Sequence, residues 1–317
     1  MTKLRVGVIG VGYLGRFHAE KYAAFSDVEL VGIVDPDLPR IEQIADTLGT
    51  QAFADPLQLI GQVDAVSIVV PTLLHYRIAR PFLEQGIHVL LEKPVTVTLE
   101  QADALIDLAA RRELILQVGL IERFNPALTA VRPLIKSPRY LTAERSAPFT
   151  VRCTDVSVVL DLMIHDLDIV MDLAGSPPKE VSAAGAAVIT DAIDMASARI
   201  VFENGCIADV VASRVSDEKK RLLRVFEGES VYLSDYQSQT ASVSRKGPGL
   251  VPELSARSLT GTDRRDTLAD ELRAFVDSVR TGTRPRVSGA EGRRALALAT
   301  AIEANIMQGM SGFVPVT

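Results

Sequence analysis

Through the first 120 residues, short apolar runs alternate with longer stretches of helical period. The runs are Leu-Arg-Val-Gly-Val-Ile (4–9), Val-Glu-Leu-Val-Gly-Ile-Val (28–34), Ala-Val-Ser-Ile-Val-Val (65–70), Ile-His-Val-Leu-Leu-Glu (87–92) and Leu-Ile-Leu-Gln-Val-Gly (114–119). Strands separated by helix-length segments predict a parallel sheet wound with helices. Past residue 121 the rhythm changes. Residues 195–215 alternate inward and outward positions on either side of Asn204-Gly205, a strong hairpin signal, and a second hairpin is expected near Glu227-Gly228. Successive hairpins make an antiparallel sheet. Residues 267–282 and 289–306 then read as terminal helices, the last a candidate to pack back on the first domain. Residues 244–263, rich in Gly, Pro and Ser, read as a mobile loop. The expected organisation is an α/β protein with one domain over 1–120 and an α+β domain over 121–317.

One helical segment carries more charge than its apolar character suggests. Over residues 158–173, Asp161, His165, Asp168 and Asp172 stand at i, i+4, i+7 and i+11 and share a face. Nearly all other positions are aliphatic, and Asp166 alone breaks the pattern. Such a stripe either faces solvent, as on a surface helix, or lines a cleft. In a cleft, a carboxylate one turn before a histidine would fix the imidazole tautomer and support it as a general base.

Composition narrows the class. A chain of 317 residues is long enough for two domains, and 47% hydrophobic residues with no Trp imply a core packed by Ala, Val, Ile and Leu. The net charge of -6 comes from dispersed acids and bases, with no basic run to follow a phosphate backbone, so nucleic acid is excluded as an expected partner. Cys153 and Cys206 fit neither a metal knuckle nor a disulfide framework. The N-terminus enters a strand without a signal-peptide pattern, and no apolar run reaches membrane-span length, so a cytoplasmic protein without membrane contact is expected. The four histidines are scattered without zinc spacing, so no metal is expected.

The first strand runs directly into Gly10-Val11-Gly12-Tyr13-Leu14-Gly15, and Asp35 ends the second strand twenty residues past Gly15. Strand, glycines, helix, strand and acid in that order form a dinucleotide fingerprint. Gly10 permits the tight turn, Gly12 the approach of a pyrophosphate, and Gly15 close helix–strand packing. Asp35 can accept hydrogen bonds from adenosine ribose hydroxyls and would repel a 2′-phosphate. Pro36 and Asp37 offer no cation to welcome one, so NAD is favoured over NADP. Pro71, Thr72 and His75 follow the third apolar run, and Glu92 and Lys93 end the fourth. Both stretches fall at the strand ends where open α/β sheets bind ligands. Together with Gly10, Gly12, Tyr13, Leu14, Gly15 and Asp35, these five residues are the candidate cofactor contacts; His75 could instead simply cap or pack.

The glycine motif, the Pro-Thr-Leu-Leu-His element at 71–75, Glu92-Lys93-Pro94 and the Asp161/His165 pair resemble the Gfo/Idh/MocA oxidoreductases over nearly the whole chain. The resemblance implies an N-terminal Rossmann domain and a C-terminal domain whose open, mainly antiparallel sheet serves as an interface in a homodimer or homotetramer. It implies that Lys93, Asp161 and His165 surround the reacting sugar carbon. A narrower likeness, at Ile121-Glu122-Arg123-Phe124-Asn125-Pro126 and at Asp161 to Asp168, is to the branch acting on UDP-N-acetylhexosamines, with the 3-hydroxyl favoured. Arg123 and Asn125 would then contact the substrate, Arg123 through its diphosphate; Asn125 could equally cap the helix that Pro126 begins. Asp166 and Asp168 could anchor inter-domain arginines. His165 is the expected base and Lys93 the alternative. Two other readings stand: a dehydrogenase of a free polyol, inositol or other small carbonyl compound, and a non-catalytic NAD-sensing regulator.

Overall fold

The computed structural model describes residues 2–150, 156–247, 254–261 and 264–310; Cys153 lies outside them. The chain divides into two compact units, Met1–Leu120 with Leu268–Arg293, and Ile121–Thr267 with the residues from Arg294 on.

In the first unit, strands β1 (Leu4–Ile9), β2 (Val28–Val34), β3 (Gln51–Phe53), β4 (Ala65–Ile68), β5 (His88–Glu92) and β6 (Leu116–Gly119) form one parallel sheet in the order β3-β2-β1-β4-β5-β6. Helices α1 (Tyr13–Ala24), α2 (Leu38–Leu48), α3 (Thr72–Glu84) and α4 (Leu99–Arg111) alternate with the strands. This is the doubly wound order that places ligands at the carboxyl ends of the strands. Val6, Val8, Val66, Ile68, Val89, Leu90 and Leu91 are all fully buried, which explains runs that are apolar at consecutive positions. Helix α1 buries Gly15, His18, Ala19 and Tyr22 at helical spacing. The Tyr22 hydroxyl meets Ser67 Oγ at 2.9 Å beneath it. Strand β3 has three residues and no fully buried position, too short to leave a periodic signal.

The second unit contains α5 (Pro126–Val131), β7 (Tyr140–Ser146), α6 (Ile164–Ala174), and strands β8 (Pro178–Ala186), β9 (Met195–Phe202), β10 (Ile207–Ser213), β11 (Lys220–Glu227), β12 (Ser230–Asp235), β13 (Thr240–Lys246) and β14 (Leu254–Ser258). The sheet order is β14-β13-β12-β11-β7-β10-β9-β8, antiparallel except where β10 runs parallel to β7. Both hairpins expected at 204–205 and 227–228 are present. The 244–263 segment differs from its expectation: Leu254–Ser258 pairs with β13, while residues 248–253 lie outside those described.

One face of this sheet presents small residues, Ala196, Ala198, Ala208 and Ala212, to an apolar cluster with Leu128, Val131, Met163, Leu167, Val170 and Ile302. Small side chains let the helices pack closely on the strands. The other face carries Tyr140, Val201, Ile207, Val211, Leu222, Val231 and Leu233, all half-buried, and an exposed Phe226.

Two helices follow, α7 (Thr267–Thr281) and α8 (Gly289–Met310). Helix α7 belongs to the first unit, not to the second as expected. Leu272, Phe275 and Val276 are buried, Arg273 Nη1 lies 2.9 Å from both Asp27 carboxylate oxygens, and its guanidinium stacks 4.0 Å over the Phe25 ring. Only the first turn of α8 belongs to that unit. No helix among the described residues is long and apolar enough to cross a membrane.

Candidate functional site

The first unit offers a site built mostly from main chain. Gly10 has φ +85°, and a Cβ on Gly15 would lie 1.8 Å from the Gly10 carbonyl oxygen, so strand and helix meet there only as glycines. Gly12 is the N-cap of α1 without any side-chain cap, no acid stands in the first turn, and the space around Gly12 is open. The first-turn N–H groups and the positive end of the helix dipole suit this end of α1 to an anion. Tyr13 and Leu14 are exposed beside this turn.

Asp35, 8% exposed, is held by the backbone: Oδ2 accepts from Val11 N–H at 2.9 Å and Oδ1 from Asp37 N–H at 3.1 Å. Arg40 adds a cation that reading along the chain from Asp35 missed. Its Nη2 lies 2.7 Å from Asp35 Oδ1, with the guanidinium half-exposed. Asp37 caps α2 by accepting from Arg40 N–H at 3.3 Å, so the first turn of the helix carries Arg40 back over Asp35. The glycine turn, the open helix end and the fixed carboxylate fit the pyrophosphate and ribose of a dinucleotide.

Pro71 and Thr72 begin α3, which also has no side-chain cap. His75 is fully buried. Its ring nitrogens lie 2.9 Å from the Val70 and Pro94 carbonyl oxygens, tying the turn after β4 to the segment after β5. Burial holds the imidazole pKa below its ordinary value. Both ring nitrogens are thus engaged by main chain, the packing alternative expected for this residue. Glu92 is buried, accepts from Lys93 N–H at 3.2 Å, and has Oε1 3.4 Å from His18 Nε2. Lys93 is half-buried at the carboxyl end of β5, beside this braced carboxylate.

The charged helix of the second unit divides into two parts. Residues Val159–Met163 form a π turn, with Ile164 N–H donating to the Val159 carbonyl, before α6 begins. A π turn is wider than an α turn, so Asp161 is rotated from the line through His165, Asp168 and Asp172. Asp161 and His165 are half-buried. The other carboxylates hold arginines. Arg123 donates from Nη2 to Asp168 Oδ1 at 2.8 Å, its Nε donates to Oδ2 at 2.5 Å, and Nη1 lies 2.8 Å from Asp172 Oδ1. Burial disfavours the Arg123 charge, yet Asp168 and Asp172 outweigh it and hold the guanidinium pKa above its ordinary value. Arg145 joins Asp166 at 2.7 Å to Glu122 at 2.9 Å.

Both arginines lie in the same unit as their carboxylates, which corrects the inter-domain expectation. Arg123 and Asn125 are likewise engaged within the unit. Arg123, 6% exposed, has its planar fork filled by carboxylates. Asn125 Oδ1 accepts from Ala127 N–H at 3.0 Å as the α5 cap, and Nδ2 donates to Glu122 and to the Tyr236 carbonyl. A signal for the network was present: Leu141, Ala143 and Arg145 share the inward face of β7, and an inward arginine requires a buried carboxylate.

A doubly wound unit with a dinucleotide turn, followed by a sheet-and-helix unit bearing an Asp/His pair, defines a class of NAD-binding oxidoreductases. Family models agree. Residues 4–120 match the oxidoreductase family with the NAD-binding Rossmann fold, and residues 138–230 match the GFO/IDH/MocA C-terminal domain. The chain belongs to the Gfo/Idh/MocA oxidoreductase family. It is 42% identical to the UDP-N-acetylglucosamine 3-dehydrogenase of Acidithiobacillus ferrooxidans, over 94% of this chain and 96% of that protein. A solved structure of that enzyme superposes with a TM-score of 0.90 at 40% identity, covering 97% and 99% of the two chains. The myo-inositol 2-dehydrogenase of Thermotoga maritima is 29% identical over 96% of each chain.

Proposed function

We propose that the protein is an NAD-dependent dehydrogenase of a UDP-N-acetylhexosamine, acting at the 3-hydroxyl. The observation that carries this reading is its likeness, over nearly the full length of both chains, to a UDP-N-acetylglucosamine 3-dehydrogenase. NAD, when bound, accepts the hydride from the carbinol carbon. Its pyrophosphate would be held by the N–H groups at Gly12, Tyr13 and Leu14, and its adenosine ribose by Asp35. A fixed carboxylate at that place opposes a 2′-phosphate, which supports NAD over NADP.

The chain's own residues manage the proton. His165 takes it from the substrate hydroxyl, Asp161 steadies the imidazole and its positive charge, and Lys93 hydrogen-bonds the same oxygen and favours the developing alkoxide. Glu92, braced by His18 and by the Lys93 N–H, fixes the backbone from which Lys93 projects. Lys93 as the base is the competing assignment.

The half-buried apolar residues on the outer face of the second sheet, around the exposed Phe226, support assembly into a homodimer or homotetramer through that face. Light scattering on Phe226→Glu is expected to report dissociation.

NAD reduction is the direct test, with UDP-N-acetylglucosamine and myo-inositol in separate reactions and a carbonyl trap to draw off the ketone. Turnover of the nucleotide sugar is expected. Turnover of inositol alone would instead establish the free-polyol reading, which the Thermotoga maritima relative favours. Lys93→Ala and His165→Ala should each lower turnover about 10²-fold or more, the scale for losing a general acid or base, with NADH affinity retained. A variant that turns over at the unmodified rate has no catalytic role.

A further inference from the structure

With Arg123 enclosed by carboxylates, the diphosphate of a nucleotide sugar needs another cation. A cavity of about 400 Å³ in the second unit supplies three. Lys219, Arg221 and Arg264 line it, against a single lining carboxylate, Glu122. Glu122 does not neutralise them. Its Oε1 lies 2.9 Å from Arg145 Nη1 and 3.3 Å from Arg221 Nη1, so one carboxylate is shared by two guanidiniums. Lys220 pairs with Glu144 and Glu218, but among the described residues no ion pair is made by Lys219 or Arg264. Arg264 donates to the Gln237 carbonyl, which places its head group at the cavity.

A second observation points to a ligand independently of the charges. Tyr236 lines the cavity, is 3% exposed, and its hydroxyl has no hydrogen-bond partner among the described residues. A buried hydroxyl without a partner is unfavourable and rare in folded proteins. The ring is fixed, with the Arg145 guanidinium 6.0 Å from its centroid and the Tyr236 carbonyl accepting from Asn125. Burial, then the nearby Asp166 and Glu122, hold the phenol pKa well above its ordinary value, so the group is an O–H donor at neutral pH.

From these residues we infer that the cavity is an anion subsite for the diphosphate of the nucleotide-sugar substrate. Arg221 and Arg264 present planar forks suited to phosphate oxygens, Lys219 adds a mobile charge, and Tyr236 donates from the wall. This assignment rests on the UDP-sugar reading above. It also gives the buried network a purpose: Glu122, on the wall, is joined through Arg145 to Asp166, the residue after His165. Binding energy gained on the remote diphosphate would thereby be anchored to the helix that carries the base.

Calorimetric titration of the full chain with UDP-N-acetylglucosamine, UDP, inorganic pyrophosphate and N-acetylglucosamine tests the site. UDP and pyrophosphate should bind and compete with the nucleotide sugar, while the free sugar does not displace pyrophosphate. Lys219→Ala/Arg264→Ala changes two exposed side chains and should weaken UDP at least tenfold with NADH affinity unchanged. Tyr236→Phe should weaken it about tenfold, as for one hydrogen bond to a charged group. Failure of the unmodified protein to bind UDP or pyrophosphate, or unchanged UDP affinity in the double variant, overturns the subsite. If both anions bind through these residues while UDP-N-acetylglucosamine is not oxidised, the anion site stands and the substrate reading falls.

Discussion

Helices α1 and α6 each carry one half of the proposed chemistry and are built by opposite means. The N-terminus of α1 works through its backbone: glycines at 10, 12 and 15 remove side chains so that N–H groups can face an anion. Helix α6 works through side chains, and Asp166, Asp168 and Asp172 are already bound to arginines. A main-chain site has one purpose, whereas a carboxylate looks the same in sequence whether it meets a ligand or an internal arginine. On α6 the carboxylates paired with Arg123 and Arg145 hold the fold.

The largest effect is expected on the structural side. Arg123→Ala leaves Asp168 buried without its guanidinium, and losing one partner of a buried ion pair costs about 3–5 kcal/mol. Urea unfolding should show that loss. Arg123→Met/Asp168→Leu removes both charges and should recover most of the stability. An Arg123→Ala protein with ordinary stability and weakened UDP-sugar binding would reverse the comparison and restore Arg123 as a ligand.

On the other side, Gly15→Ala forces a Cβ to 1.8 Å from the Gly10 carbonyl, so helix and strand must separate. A displacement of that order should weaken NADH about 10²-fold, the scale for ångström misplacement of a binding element. UDP affinity should hold, since the anion cavity is built wholly within the second unit. Loss of both affinities together would show that the two halves do not act separately.

The sequence was most readable where local geometry decides. Apolar runs located five strands of the parallel sheet, and the turn glycines located the cofactor end, because each signal lies within a few residues of its cause. Arg40 was missed because a helical turn, not sequence adjacency, returns it to Asp35. The partners of Arg123 were hidden for a related reason. Its partner Asp168 is 45 residues away, and nothing local to residues 121–126 shows that the guanidinium is filled. Helix α7 carries an apolar stripe that fits either unit, and only packing assigns it to the first. The π turn before α6 is equally hidden, since the sequence shows the spacing of Asp161 and His165 but not the width of the turn between them.

A smaller effect is expected at Asp35. Replacing it by Ser removes the charge that opposes a 2′-phosphate while Arg40 stays within reach of one. Fluorescence titrations should show the preference for NADH over NADPH narrowing by about tenfold, or about 1.4 kcal/mol. Arg40→Ala should move it the other way, by weakening NADPH. If the unmodified protein binds NADPH more tightly, Asp35 does not govern selection.

The smallest effect is on acid stability and isolates the lower end of α6. Burial raises the Asp172 pKa, but Arg123 and Arg132 pull harder and hold it below the ordinary carboxylate value. A carboxylate depressed in the folded state stabilises the protein above its unfolded pKa, about 3.9, and that contribution is lost as pH falls through the folded value. Asp172→Asn keeps the shape and removes the titration. The variant should therefore be less stable than the unmodified protein at neutral pH, and the gap should close as pH falls below about 4. Denaturant midpoints across the acid range measure it. A gap that persists undiminished to about pH 2 would mean that the lost stability came from packing or hydrogen-bond geometry, not charge. Asp172 would then leave the set of carboxylates that hold α6 by ion pairing, and Asp168 would have to balance Arg123 by itself.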